Sequence, residues 1–155
     1  MQNLLDEINS GESTMTIFQD KLIRKVRILY ILVRYSDGQK NYVLKEQQQE
    51  NKKTGVIRTR DFPASVAEKM QPRETSRAAT IRAIAEELGI ETPITILDGD
   101  TTSKTGHSDS YPGLTTDRII YNSVVNLNAE QFNPDGYTED GKTFITTFVW
   151  EEEVM

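Results

Sequence analysis

The sequence predicts a single α/β domain in which a mixed β-sheet carries helical cover. The chain has 155 residues with 36% hydrophobic content, which suffices for one core but is short for two domains and a linker. A predicted β-hairpin and a further strand precede the one well-marked helix, and more strands follow it. This order is typical of a mixed sheet rather than of a doubly wound parallel sheet.

The first predicted strands lie in the N-terminal half. A β-branched and aromatic run over residues 26–35 predicts a buried strand, and Ser-Asp-Gly at 36–38 predicts a tight turn. Residues 41–45 are predicted to return as the second strand of a hairpin. We expect a polar loop over residues 47–53 and a third strand over residues 56–59.

The one strongly marked helix is predicted over residues 75–88. Thr75 or Ser76 can cap its N-terminus, Pro72 precedes it, and Gly89 stands where a C-terminal cap belongs. Apolar side chains that recur at helical spacing should form its buried stripe. The predicted stripe consists of Ala78, Ile81, Ala85 and Leu88.

The segments after the helix predict short strands joined by turns and loops. We expect strands over residues 94–97, 119–127 and 143–150, with a turn at Asn-Pro-Asp-Gly over residues 133–136. The stretch 98–110 is rich in Gly, Asp, Ser and Thr, which predicts a long loop.

The N-terminal residues and the composition limit the kind of protein. Residues 1–22 predict an arm or short helix in front of a single domain over residues 23–155. Acids near Met1 do not fit a signal peptide, and no apolar run approaches the ~20 residues of a membrane helix. A net charge of −6 argues against binding to duplex nucleic acid or to an anionic membrane. Because there is no cysteine, disulfides and thiol chemistry are excluded, and redox chemistry does not indicate the compartment. The acidic N-terminus and the lack of a long apolar run lead us to expect a cytoplasmic protein.

Residues 63–90 contain the motif that points to chemistry. Seven residues of this stretch occupy the defined positions of a known sequence pattern: Glu74, Arg82, Ile84, Glu86, Glu87, Gly89 and Ile90. This stretch resembles the box of the Nudix hydrolase superfamily: Gly, five residues, Glu, seven residues, Arg-Glu, an aliphatic, any residue, Glu-Glu, any residue, Gly, an aliphatic. A chance match in a chain this long is on the order of one in a hundred thousand. The resemblance implies a Nudix-type α/β/α sandwich with a mixed sheet.

Two positions depart from the box. Glu68 stands where the pattern begins with glycine, and Ala83 replaces the glutamate of the Arg-Glu pair. Pyrophosphate hydrolysis needs divalent cations, and hard cations such as Mg²⁺ prefer carboxylate oxygens. Helix positions three and four apart share a face, which predicts that positions 83, 86 and 87 face one ion cluster. Ala83 removes one ligand, and Glu68 is its hypothetical replacement.

The resemblance implies a Mg²⁺ or Mn²⁺ site and a small nucleotide-type ligand. The candidate catalytic residues are Glu87, Glu86 and Arg82, with Arg82 orienting Glu86 through an ion pair. The candidate metal ligands are Glu86, Glu87, Glu68 and Glu74, with Glu139 as an additional acid from beyond the box.

Two functions fit this pattern, and a purely structural role is the third. The first is a metal-dependent hydrolase that cleaves a nucleoside diphosphate linked to another moiety. The second is a catalytically impaired module that binds a nucleotide or a protein, which Ala83 favours. Glu86 and Glu87 could also be a solvated helical face. His107 is more typical of a surface residue than of a general base. Tyr111 is more typical of a tyrosine packed in a turn than of one that stacks on a nucleotide base.

Overall fold

The computed structural model of the chain describes residues 4–18, 21–107 and 114–153. These residues form two helices and one nine-stranded sheet. The elements are α1 (Leu4–Ser10), β1 (Ser13–Phe18), β2 (Lys21–Ser36), β3 (Asn41–Asn51), β4 (Ile57–Arg58), β5 (Val66–Lys69), α2 (Ser76–Leu88), β6 (Thr95–His107), β7 (Thr115–Leu127), β8 (Tyr137–Asp140) and β9 (Phe144–Glu152).

Strand β2 is the centre of the sheet because it pairs with four other strands. The main path runs β6-β7-β2-β3-β9-β8, while β1 and β5 also pair with β2 and β4 pairs with β3. Strands β2 and β7 run parallel, and all the other described pairs are antiparallel. The predicted mixed α/β fold is therefore confirmed.

Helix α2 packs its inward side against one face of this sheet. Ala83 and Ile84 are fully buried there, and the Oγ1 atom of Thr80 lies 3.0 Å from the Oγ atom of Ser123 on β7. Burial of apolar surface, worth about 25 cal/mol per Å², drives this packing. The sheet side of the core includes Leu29, Ile31 and Val33 of β2, Leu44 of β3, Val125 and Leu127 of β7 and Phe148 of β9.

The boundaries of α2 confirm the prediction, but its predicted buried stripe is wrong. Only Leu88 of the four predicted residues is buried, and 49% of Ile81 is exposed. The other buried positions of α2 are Ala79, Thr80, Ala83 and Ile84. Thr80 tolerates the interior because its hydroxyl donates to the Ser76 carbonyl oxygen at 2.7 Å and contacts Ser123. The buried side of α2 thus includes a polar residue with local partners, and it is rotated about the helix axis relative to the predicted apolar stripe.

Two segments predicted as loops are strands. Strand β3 continues to Asn51 instead of ending before residue 47, and it accommodates its extra length against β9 with an irregularity between Glu46 and Gln48. Strand β6 continues through the polar stretch 98–107 because β7 pairs with it. Hydrogen bonds to a neighbouring strand satisfied the backbone at positions where the side chains gave no strand signal.

The N-terminal residues form both the short helix that was expected and strand β1, which was not predicted. The carboxylate of Glu7 on α1 accepts hydrogen bonds from Ser13 at 2.9 Å, Arg24 at 2.6 Å and Lys69 at 2.8 Å. Glu7 and Arg24 are almost wholly buried, so this polar cluster attaches α1 to β2 and β5. Neither helix in the described ranges has the length and apolar content of a membrane span.

Candidate functional site

The ends of α2 are fixed by local hydrogen bonds. Thr75 has an extended backbone, and its hydroxyl oxygen accepts from the amide of Ala78 at 3.1 Å. Gly89 adopts the left-handed conformation, with a φ of 71°, and donates to the carbonyl oxygen of Ala85 at 3.0 Å. These caps define the directions of the charged side chains that α2 carries.

Arg82 on α2 is surrounded by three carboxylates. Its Nε and Nη2 atoms donate to the two oxygens of Glu74 at 2.8 and 3.0 Å. Its Nη1 atom lies 3.2 Å from Glu68 and 3.3 Å from Glu86, and Nη2 also donates to the carbonyl oxygen of Lys69. The predicted ion pair with Glu86 is present, but the two-pronged contact with Glu74 is the shorter one.

Glu74 is held on both oxygens. Besides the contact with Arg82, its Oε1 atom accepts from the amide of Gln71 at 3.0 Å. The hydrogen bonds from Arg82 hold the pKa of Glu74 below its ordinary value. The preceding loop is held by Arg27, which donates to the carbonyl oxygens of Gln71 and Glu74. This arrangement favours a positioning role for Glu74 over that of a metal ligand.

Glu87, near the C-terminal end of α2, and Glu139, on β8, are two acids that line the same cavity. Burial raises the pKa of Glu87 most, and the neighbouring Glu139, Glu68 and Glu86 raise it further. Burial also raises the pKa of Glu68, against the opposing effect of Arg82. The charged form of Glu87 is therefore disfavoured unless a cation lies near it.

Glu139 reaches Glu87 because of a tight turn before β8. The amide of Gly136 donates to the carbonyl oxygen of Asn133 at 3.0 Å, which confirms the predicted turn. Gly136 has a φ of 84°, and a Cβ atom at this position would collide with the carbonyl group of Phe148. The turn therefore lies tightly against β9 and brings β8 beside the C-terminal end of α2.

The Glu87–Glu139 pair lies in the wall of a cavity of about 300 Å³. Arg60 also lines this cavity and makes a two-pronged contact with Glu46, at 2.6 and 2.9 Å. Lys142 makes no ion pair with the described residues. The aromatic rings of Phe62 and Phe144 and the polar groups of Gln49, Ser65, Thr143 and Thr146 complete much of the lining.

Position 83 does not face the acids in the way the helical spacing predicted. Ala83 is fully buried in the apolar core, whereas 55% of the Glu86 side chain is exposed. Glu87 lines the cavity. At about 100° per residue, position 83 lies between the other two positions, about 60° from position 86 and about 40° from position 87, so the two acids flank a buried residue. The missing carboxylate of the box thus corresponds to an apolar interior site in this chain.

The candidate metal ligands are divided between two neighbouring groups. Glu68, Glu74 and Glu86 surround Arg82, whereas Glu87 turns to Glu139. Across the described part of the chain, no three acids or histidines converge as a ready metal site. The side chain of His107 and all of Tyr111 lie outside the described residues.

The sequence did not identify Arg60, Phe62, Phe144 and Lys142 as cavity residues. They lie on different strands and turns, and only the pairing of β3, β8 and β9 brings them together. The sequence held one weak signal for these residues. Arg60 and Phe62 are a cation and an aromatic residue two positions apart, and they lie just before the box.

Comparisons with known proteins found similarity at the level of solved structures only. No family model and no curated protein sequence matches the chain. The dihydroneopterin triphosphate pyrophosphohydrolase of E. coli is 18% identical, with a TM-score of 0.43 over 65% of this chain and 67% of that one. The Ap4A hydrolase of C. elegans is 14% identical, with a TM-score of 0.40 over 81% of this chain and 77% of that one.

A third similar structure is the NUDIX domain of Shewanella oneidensis NrtR, solved with ADP ribose. It is 11% identical, with a TM-score of 0.43 over 81% of this chain and 71% of that one. Identities and scores this low do not transfer an activity or a ligand. The stretch on α2 resembles the Nudix box, and the function of this chain has to be argued from its own side chains.

Proposed function

We propose that this chain is a metal-dependent hydrolase of a nucleoside diphosphate linked to another moiety, acting at the cavity beside α2. The position of Glu87 and Glu139 in the wall of one cavity carries this proposal. Burial and the neighbouring acids disfavour the charged form of Glu87, and a positive charge between the two acids would restore it. A divalent cation meets this need, and carboxylate oxygens are the ligands that Mg²⁺ and Mn²⁺ prefer.

The residues of the wall fit such a cation. Glu87 and Glu139 are the ones that would hold it, and Glu68 adds negative charge nearby. When bound, the cation would neutralise phosphate charge and lower the pKa of a water molecule. Arg82 is a positioning residue in this proposal because it fixes Glu68 and Glu86 through its ion pairs.

The remaining cavity residues suit a ligand with phosphate groups and a ring. Lys142 offers an ammonium group without a competing ion pair among the described residues. Phe62 and Phe144 offer apolar surface against which a planar ring can pack. A lining with both kinds of group supports a nucleoside diphosphate derivative over a simple inorganic phosphate.

The test is release of product from a panel of nucleoside diphosphate derivatives with Mg²⁺ and with Mn²⁺. We expect metal-dependent turnover by the wild type and a loss of at least about a hundredfold in Glu87→Gln and Glu139→Gln. Glu130→Gln is the matched control, because Glu130 is an exposed acid outside the cavity. Full activity in Glu87→Gln would contradict the proposal.

The second candidate function is a nucleotide-binding module without turnover. It is favoured by Ala83, which places an apolar, fully buried side chain where the box has a glutamate. In that case no substrate of the panel would release product. The same nucleotides would nevertheless raise the melting temperature, and Lys142→Ala would abolish the increase.

A further inference from the structure

An apolar groove runs along the outer side of α2, on the side away from the sheet. Ile81 is the large apolar side chain of α2 that is left exposed, at 49%. The i, i+4 spacing of Arg77, Ile81 and Ala85 places them in one row on the helix. The groove is lined by this row and by Ile90, Glu91, Thr92, Pro93 and Ile94 of the segment that follows α2.

The groove carries opposite charges toward its two ends. Arg77 lies in the first turn of α2, and Glu91 lies two residues beyond its C-terminal cap. Neither side chain forms an ion pair with the described residues. The floor between them is apolar and includes the small side chain of Ala85. The groove is therefore bipolar, with a positive end, an apolar centre and a negative end.

A surface with this pattern is complementary to itself when one copy is turned by a two-fold rotation. In an antiparallel arrangement, Arg77 of each copy meets Glu91 of the other. Ile81 then packs over the apolar centre of the partner's groove, where Ala85 leaves room. A parallel arrangement would place like charges together, so the charge pattern selects the antiparallel one.

We propose that two copies of this chain associate through the outer side of α2, as an antiparallel two-fold dimer. The proposal does not depend on the proposed hydrolase function, because the groove and the cavity have no lining residue in common. The groove is anchored on its far side, where Gln131 donates to Thr92 and Pro93 at 2.9 and 2.8 Å. It thus offers a fixed surface with apolar area to bury.

The first test is sedimentation velocity of the full chain over a concentration series. We expect a reversible dimer for the wild type and a dissociation constant at least about tenfold larger for Ile81→Glu, because a charge would enter an apolar contact. Ile57→Glu is the matched control: Ile57 is 55% exposed on β4, away from the groove. Circular dichroism should show that all three proteins are folded, since both positions are exposed.

The second test reverses the charges. Arg77→Glu alone and Glu91→Arg alone should each weaken the dimer about threefold to tenfold, because each creates two like-charge contacts. The double variant Arg77→Glu with Glu91→Arg should restore wild-type affinity. Because the chain has no cysteine, mixing an Arg77→Cys variant with a Glu91→Cys variant should also give a disulfide-linked heterodimer under oxidation.

Three results would overturn the proposal. One is a wild type that remains monomeric throughout the concentration series. Another is a dimer that Ile81→Glu and Ile57→Glu affect equally, since the contact would then lie elsewhere. The third is a double charge reversal that is as weak as the single reversals, which would exclude the antiparallel arrangement.

Discussion

Two adjacent residues of β5 belong to charged clusters that are built in opposite ways. Lys69 joins Arg24 around Glu7, so one carboxylate receives two cations. Glu68 joins two other carboxylates around Arg82, so one cation is shared by three acids. Successive residues of a strand point to opposite faces of the sheet, which keeps the two clusters apart.

The two clusters differ in accessibility and in the number of acids. The Glu7 carboxylate and the Arg24 side chain are nearly inaccessible, which suits a permanent attachment. The acids around α2 are in excess, and neither Glu87 nor Glu139 forms an ion pair with a described basic side chain. Burial and mutual repulsion disfavour the charged form of such acids. Acids in this situation indicate a site that is completed by a ligand.

The largest expected effect is on the cluster around Glu7. Glu7→Ala leaves a buried guanidinium without the carboxylate that it contacts at 2.6 Å. We expect it to lower the free energy of unfolding by about 3 to 5 kcal/mol in urea denaturation. Glu130→Ala, an exposed acid, should change it by less than about 0.5 kcal/mol. A small loss for Glu7→Ala would mean that the cluster does not attach α1.

Restoring the glutamate of the box at position 83 tests the surroundings of the acids on α2. Ala83→Glu places a carboxylate at a fully buried core position. Without metal it should lower the free energy of unfolding by about 3 kcal/mol, from overpacking and desolvation. Ala78→Glu is the control on the same helix: Ala78 is exposed near the N-terminal cap, so an acid there should stabilise slightly. Tolerance of Ala83→Glu without metal would show that position 83 has access to water.

Removing Arg82, the cation that three acids share, should have a moderate effect on the free energy of unfolding. Arg82→Met deprives Glu68 and Glu74 of their ion-pair partner, and we expect a loss of about 2 kcal/mol in thermal and urea unfolding. Combining it with Glu74→Gln should cost less than the sum of the two single changes. Additive losses would show that the contact between Arg82 and Glu74 contributes little.

A smaller effect should be seen in how the melting temperature depends on pH. Because the folded pKa of Glu87 is raised, the folded protein holds this proton more tightly than the unfolded chain does. Its contribution to stability is fully present below the unfolded pKa, near 4.5, and is lost as the pH rises toward the higher folded pKa. Glu87→Gln in EDTA should therefore flatten the fall in melting temperature from pH 5 upward. An unchanged slope would contradict the raised pKa of Glu87.

Local signals were sufficient to predict α2 and to single out one acid of the cavity wall. Thr75 and Gly89 act on neighbouring backbone atoms, so the sequence alone indicated where α2 begins and ends. The box pointed to Glu87, and the structure places this residue in the cavity wall. Glu139 was a candidate from beyond the box, and the structure places it in the lining of the same cavity as Glu87.

Non-local contacts could not be predicted in the same way. Strand β8 and the extension of β6 depend on hydrogen bonds to β9 and β7, which no pattern in their own polar residues encodes. The exposure of Ile81 depends on which side of α2 meets the sheet, and the side that does so includes Thr80, which contacts Ser123. Arg60 and Lys142 become neighbours of the site only when the strands have paired.

We propose that Glu87 and Glu139 hold a divalent cation in the cavity, and isothermal titration of Mn²⁺ into EDTA-treated protein measures this binding. We expect one site in the wild type and in Glu130→Gln. The affinity should be at least about tenfold weaker in Glu87→Gln and in Glu139→Gln, because each removes a charged oxygen ligand. Equal affinity in all four proteins, or no binding by the wild type, would contradict the claim.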